Sequence, residues 1–175
     1  MGKYRFKSYK EAYDFIKSDF SRYKKRYPRN LGEVLWACMR IPCFHYTFWM
    51  RLGGVKGVLY PFAKIARKHL SRKYGLQIDS STHIGKGLYL GHGYIIVNPT
   101  AIIGENVNLS QFTTIGSNHG SAAVIGDNVY IGPNVCLVEN VHIGDNAKIG
   151  AGAVVVKDVP AYATAVGVPA HNIIK

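Results

Sequence analysis

Residues 125–160 read IGDNVYIGPNVCLVENVHIGDNAKIGAGAVVVKDVP, and within them Ile125, Ile131, Leu137, Ile143, Ile149 and Val155 recur every six residues without a slip. A helix repeats every 3.6 residues and a strand every two, so neither element alone produces this beat. Gly126, Gly132, Gly144 and Gly150 follow four of these aliphatics, and the fifth place of each hexad is small and apolar: Val129, Val135, Val141, Ala147, Ala153 and Val159. A fixed short period of this kind is the signature of a solenoid of short strands, a parallel β-helix. One unit cannot bury its aliphatic by itself, whereas stacked coils bury a continuous column of them. An antiparallel sandwich needs longer runs separated by hairpin turns, and the hexads do not supply these.

Working back from this stretch, the same beat reads as Ile78, Ile84, Leu90, Ile96, Ile103, Leu109 and Ile115. Two irregularities interrupt it. The step from Ile96 to Ile103 is seven residues, around Asn98-Pro99, and the step from Ile115 to Ile125 is ten, so Ser117–Val124 (SNHGSAAV) carries a four-residue insertion. A solenoid accommodates an insertion only as a loop thrown outward, and such loops shape binding faces. After Pro160 the pattern dissolves into AYATAVGVPAHNIIK.

Ahead of the repeats, residues 1–75 form a basic α-helical N-terminal region, and residues 76–175 form the β-helix domain. Apolar residues at three- and four-residue spacing predict a helix over Tyr9–Tyr27, ended by Pro28. A second is expected near Leu31–Arg40, a third starting at Pro42 and covering Phe44–Leu52, and a fourth near Val58–Tyr74, stopped by Gly75. The first 75 residues hold 18 Lys and Arg against 4 Asp and Glu, while residues 76–175 hold 4 against 6. Any electrostatic partner therefore belongs at the N-terminal end. One reading makes these helices a cap over the open edge of the solenoid. A compatible second reading sets the basic surface and the Phe44, Tyr46, Phe48, Trp49 cluster against a membrane as a peripheral contact. No nucleic-acid partner is expected.

Cys38, Cys43 and Cys136 are odd in number and lack metal-site spacing, so neither a disulfide framework nor a metal site is expected. The start MGKYRFKSYKEAYDF has no apolar h-region and no apolar run reaches bilayer length. A cytoplasmic location, at the inner face of the membrane if the helices bind it, is the corresponding expectation.

IGDNVYIGPNV, IGDNAKIGAGAVVVKDVPA and the ending AVGVPAHNI together resemble the hexapeptide-repeat acyltransferases. Leu76–Ile115 is most similar to the serine acetyltransferase branch, which includes O-acetyltransferases of capsular and other surface polysaccharides. The resemblance spans about residues 76–174. It implies a mainly β fold, a left-handed parallel β-helix that departs from the usual right-handed crossover rule. It also implies a homotrimer and acetyl-CoA as co-substrate, bound in the groove between neighbouring coils.

Acetyl transfer from a thioester to a hydroxyl needs a base for the hydroxyl proton and a donor for the oxyanion of the tetrahedral intermediate. Histidine is the natural base near neutral pH. In LYLGHGYIIVNPTAIIG, His92 matches the family's catalytic base, and Gly91 and Gly93 leave room around it. With three hexads per coil, His92 stacks over Gln111. His119 lies in the inserted loop, within reach of the same groove, and with Asn118, Gln111 and Tyr94 it forms the expected acceptor-binding set. Gly116 or Ser117 offers a backbone N–H to the oxyanion or to CoA. The resemblance sets the pantetheine against Gly116, Pro133 and Ala151, and the CoA phosphates near Lys157, His171 or Lys175. With no placed Cys or Ser nucleophile, direct attack in a ternary complex is expected rather than ping-pong transfer.

The departures bear on the acceptor. Where serine acetyltransferases carry an orienting Asp, an Asp directly before the base and an Arg-His pair, this chain has Gln77, Gly91 and about Ser121-Ala122, with Asp79 two residues from the first. A zwitterionic amino acid left without charged partners in a buried site is costly. The expectation is therefore acetyl transfer to a sugar hydroxyl in surface-polysaccharide synthesis, with serine O-acetylation in cysteine biosynthesis as the alternative. Two further readings are a zinc carbonic anhydrase on the same fold and a trimeric scaffold without turnover.

Overall fold

A computed structural model describes residues 5–173. Four helices come first. α1 (Tyr9–Lys24) starts where the Ser8 hydroxyl accepts from the Glu11 N–H while the Glu11 carboxylate accepts from the Lys7 N–H at 2.8 Å. The two side chains satisfy donors that a helix start leaves open. Lys25 ends it in the left-handed region, φ 56°, so the helix stops three residues short of Pro28 and does not run to Tyr27. α2 (Leu31–Arg40) is capped by Asn30, α3 (Pro42–Leu52) starts on Pro42, and α4 (Tyr60–Tyr74) ends at Gly75, φ 66°.

The solenoid makes about five turns. Its first coil is β1 (Leu76–Gln77), β2 (His83–Ile84) and β3 (Tyr89–Leu90). The second is β4 (Ile95–Val97), β5 (Ile102–Ile103) and β6 (Asn108–Leu109). The third is β7 (Thr114–Ile115), β8 (Val124–Ile125) and β9 (Tyr130–Ile131). The fourth is β10 (Cys136–Leu137), β11 (His142–Ile143) and β12 (Lys148–Ile149). The last is β13 (Val154–Val155), a bridge at Val159, and β14 (Thr164–Gly167). Successive coils pair in parallel and build three faces: β1-β4-β7-β10-β13, β2-β5-β8-β11, and β3-β6-β9-β12-β14. β15 (Ala170–Ile173) turns back antiparallel on β14 and covers the last coil.

The hexad aliphatics and the small fifth-place residues fill one continuous core. Each buried aliphatic contributes on the order of 1.5–3 kcal/mol relative to exposure. Asn106, Asn128 and Asn146 sit near φ +60° on one corner, where their short side chains tolerate the left-handed region.

One expected core position is wrong. Ile96 is exposed, and Val97 is the inward residue, in line with Ile115. The seven-residue step therefore runs from Leu90 to Val97, and the extra residue lies in the corner that carries His92. Pairing stays in step from Gly91, whose N–H donates to Leu109 O, and again from Tyr94 onward, so His92 and Gly93 together face Gln111. Gly93 presses against the end of α4, where a Cβ would lie 2.2 Å from Tyr74 O.

The helices meet the first coil through side chains that satisfy its backbone. The Tyr46 hydroxyl donates to Ile78 O and accepts from Ile78 N–H, and the Tyr23 hydroxyl does the same at Leu90. Arg51, 2% exposed, pairs with buried Asp19 at 2.9 Å and donates to Ile84 O and Gly85 O, while Asp19 accepts from Leu88 N–H at 2.8 Å. An open parallel edge would leave these groups unpaired; here one donor or acceptor side chain reaches each stretch of the first coil.

Candidate active site

The register divides the expected site residues between the two ends of the β1-β4-β7-β10-β13 face. At the end where the chain enters this face, two residues past the paired Leu90, Leu109, Ile131 and Ile149 stand His92, Gln111, Pro133 and Ala151. They form one ledge along the solenoid, one coil per step at about 4.8 Å. His92 is exposed and makes no hydrogen bond among the described residues. Space around it is open on one side, since a Cβ on Gly91 would have no neighbour nearer than 3.7 Å.

Tyr94 and Phe112 flank this ledge. Their rings stack at 5.3 Å with a 19° tilt, both are exposed, and both hold φ near +60°. That conformation is rare for bulky residues, and Asn134 or Gly152 stands on the same corner in later coils. The aromatic pair at the corner of the histidine was only half foreseen, because the sequence reading singled out Tyr94 and not Phe112.

At the opposite end, where the chain leaves the face, a groove of about 480 Å³ is lined among others by Gln77, Asp79, Asn98, Gly116, Ser117 and Arg67 of α4. Arg67 pairs with Asp79 at 3.2 Å. Burial opposes ionisation of Asp79, but hydrogen bonds from Ser81 and the nearby Arg67 charge hold its carboxyl below the ordinary value. This charged pair beside Gln77 escaped the sequence reading, because Arg67 comes from a helix and only the fold brings it to the first coil. Gly116 has open space around its Cα, yet its N–H is committed to Leu137 O at 3.1 Å. The Ser117 N–H has no partner among the described residues, so of the two expected donors only Ser117 is free.

The inserted loop follows. The Glu139 carboxylate accepts from the N–H groups of Asn118 (2.8 Å), His119 (2.9 Å) and Gly120 (3.2 Å) and from the Ser117 hydroxyl (3.0 Å). These bonds, led by that of His119, pull its pKa down to about 2. Asn118 and His119 contact each other through their side chains at 2.9 Å. His119 thus follows the exit end of the face, and the strand from Thr113 to Gly116, about 10 Å long, lies between that end and the His92 corner.

Lys157 and His171 do come together, in a groove of about 490 Å³ closed by β15 and shared with Asp158. Lys175 lies outside the described residues. Cys38 and Cys43 are buried, which pushes their thiols up to about 12 and about 11. Among the described residues no three His, Cys, Asp or Glu side chains converge as a metal-ligand group.

The parallel β-solenoid with its helical cap, a solvent-facing histidine on one edge and an open groove on the other, is similar to known transferases. Residues 122–157 match the family model of the bacterial transferase hexapeptide (six repeats). The serine acetyltransferase of Staphylococcus aureus strain Mu50 is 37% identical over 102 residues, 55% of this chain and 48% of that protein. The chain thus spans about half the length of the curated relatives it matches. Among solved structures, Neisseria gonorrhoeae serine acetyltransferase in complex with serine superposes with a TM-score of 0.74 at 28% identity, over 95% of this chain and 71% of that one. A serine acetyltransferase in complex with CoA gives a TM-score of 0.75 at 26% identity, over 94% and 71%. The solenoid therefore has the left-handed β-helix fold of these structures.

Proposed function

We propose that the chain is an acetyl-CoA-dependent O-acetyltransferase working as a homotrimer, with the His92 ledge of one copy facing the Ser117 groove of the next. The observation that carries this reading is the split of the site. A histidine that is exposed and makes no hydrogen bond among the described residues stands at one end of a face, and an N–H unpaired among them, with open space beside it, stands at the other. A rotation axis parallel to the solenoid lays unlike edges together and closes a ring.

In this reading acetyl-CoA lies along the ledge, its pantetheine against Pro133 and Ala151 and its phosphates toward Lys157 and His171 of the neighbouring copy, which stand at the exit end of the face. His92 removes the proton of the acceptor hydroxyl as its oxygen attacks the thioester carbonyl. The Ser117 N–H of the neighbouring copy donates to the oxyanion. Collapse expels the CoA thiolate, which takes the proton back from the imidazolium.

The relatives favour L-serine as acceptor, and the Arg67–Asp79 pair beside Gln77 supplies opposite charges that the sequence alone had not located. A second reading, a sugar hydroxyl of a surface polysaccharide, is favoured by the exposed Tyr94–Phe112 stack at the His92 corner, since flat aromatic faces suit the apolar face of a sugar ring.

Free thiol released from acetyl-CoA, followed with L-serine, nucleotide-sugars and simple glycosides, tests both. His92→Ala is expected to lower turnover by roughly 10²–10⁴-fold with folding intact. Absence of acetyl transfer to every acceptor, or full activity in His92→Ala, refutes the assignment. For the composite site, His92→Ala is co-refolded with Gly116→Phe, which fills the groove. Each alone is inactive, and about a quarter of the sites in random mixed trimers recover. No recovery means that both halves act within one chain.

A further inference from the structure

The helices carry apolar surface on the side that faces away from the solenoid. In α2, Val34, Ala37 and Cys38 are buried, while Leu31, Leu35 and Met39, spaced at four-residue intervals, all point outward. In α4, Ala63 and Leu70 face inward, while Phe62 (63% exposed) and Ile65 (70%) point out, next to Val58 (80%). A surface helix ordinarily keeps its outer face polar. An apolar groove of about 490 Å³ is lined by Leu31 and Leu35 of α2 and by Leu59 just ahead of α4, among others.

On the α4 side of this surface the charge is of one sign. Residues 54–78 contain Lys56, Lys64, Arg67, Lys68, Arg72 and Lys73 and no acidic residue. Of these only Arg67 forms an ion pair among the described residues. We infer that this face docks on an anionic lipid bilayer, lying at the interface with Met39, Val58, Phe62 and Ile65 inserted and the lysines at headgroup level. No helix of the described residues is long and apolar enough to cross a membrane, so the contact is one of lying on the surface. Charge complementarity selects the bilayer over a second copy of the chain. A twofold contact through this face would set one cationic rim against another with no carboxylate from residues 54–78 between them. The opposite charge of the two regions, net positive through residue 75 and net negative beyond, orients the molecule with its solenoid away from the membrane.

The inference is independent of the acetyl-transfer reading. The test is co-sedimentation of the full chain with vesicles of phosphatidylcholine alone or mixed with phosphatidylglycerol, at low and high salt. Binding is expected only to the mixed vesicles and is expected to weaken as salt rises. Phe62→Ser/Ile65→Ser is expected to lower partitioning by about tenfold or more, and Lys68→Gln/Arg72→Gln by roughly fivefold per charge removed. All four positions are exposed, and an unchanged melting temperature separates lost docking from lost folding. Absence of binding to anionic vesicles overturns the inference. So does sedimentation equilibrium showing that the face pairs copies of the chain, with the pairing abolished by Phe62→Ser/Ile65→Ser.

Discussion

The solenoid and the helical layer are held together by different kinds of contact. In the solenoid every coil gives the next what it received. Ile103 meets Ile125 22 residues on, Ile125 meets Ile143 18 residues on, and the backbone ladder follows the same coil-to-coil pairing. The helical layer docks through contacts that occur once each. Tyr46 reaches Ile78 across 32 residues, Arg51 reaches Ile84 across 33, Tyr23 reaches Leu90 across 67 and Asp19 reaches Leu88 across 69. Many small equal terms tolerate the weakening of any one, whereas a few large terms with no substitutes do not.

Removing one partner of the buried ion pair is the strongest way to break that contrast. Asp19→Ala leaves the Arg51 guanidinium at 2% exposure without its carboxylate, and a loss of about 3–5 kcal/mol is expected in chemical denaturation. Next is Tyr46→Phe, which leaves the buried Ile78 N–H without its hydroxyl acceptor while Arg67 still donates to Ile78 O, and is expected to cost about 1–3 kcal/mol. Ile131→Val, one methylene from the middle of the column, is expected to cost about 1 kcal/mol. If the core change proved as costly as the ion-pair change, the cap would be no more than another coil.

The same contrast explains what could be read from the sequence. Periodicity is local information, so the hexads gave the coils, the column and the insertion at Ser117–Val124 directly. It failed by one residue where two inward candidates were adjacent. Ile96 and Val97 are both aliphatic, the beat accepts either, and only pairing with Ile115 selects Val97. The error had a consequence at the site, because it moved the extra residue from the His92 corner to Asn98-Pro99. Lys25 ended α1 ahead of Pro28 through a left-handed cap, for which a lysine gives no strong signal. Arg67 beside Asp79, Phe112 beside Tyr94 and Tyr23 beneath Leu90 depend on which coil lies above which. The position of His92 relative to Ser117 depends further on which end of a strand each corner occupies.

Glu139 is the place where the solenoid borrows the device of the cap. It is a single side chain closing a set of backbone donors, but it holds a loop rather than a layer, so its effect is the smallest and the most local. Its pKa of about 2 lies below the ordinary 4.5, so the stabilisation is present above about pH 4.5 and is lost as pH falls through about 2. Amide exchange of Asn118, His119 and Gly120 is expected to accelerate over that window ahead of the coils. Glu139→Gln keeps one carbonyl acceptor but no charge, and is expected to open the same amides at neutral pH with little change in global stability. The measurement separates two causes of loop order. Protection of these amides in Glu139→Gln equal to wild type would mean that packing of Gly120 against Asn140, not the carboxylate, fixes the loop. Selective loss would make Glu139 the residue that sets where His119 stands.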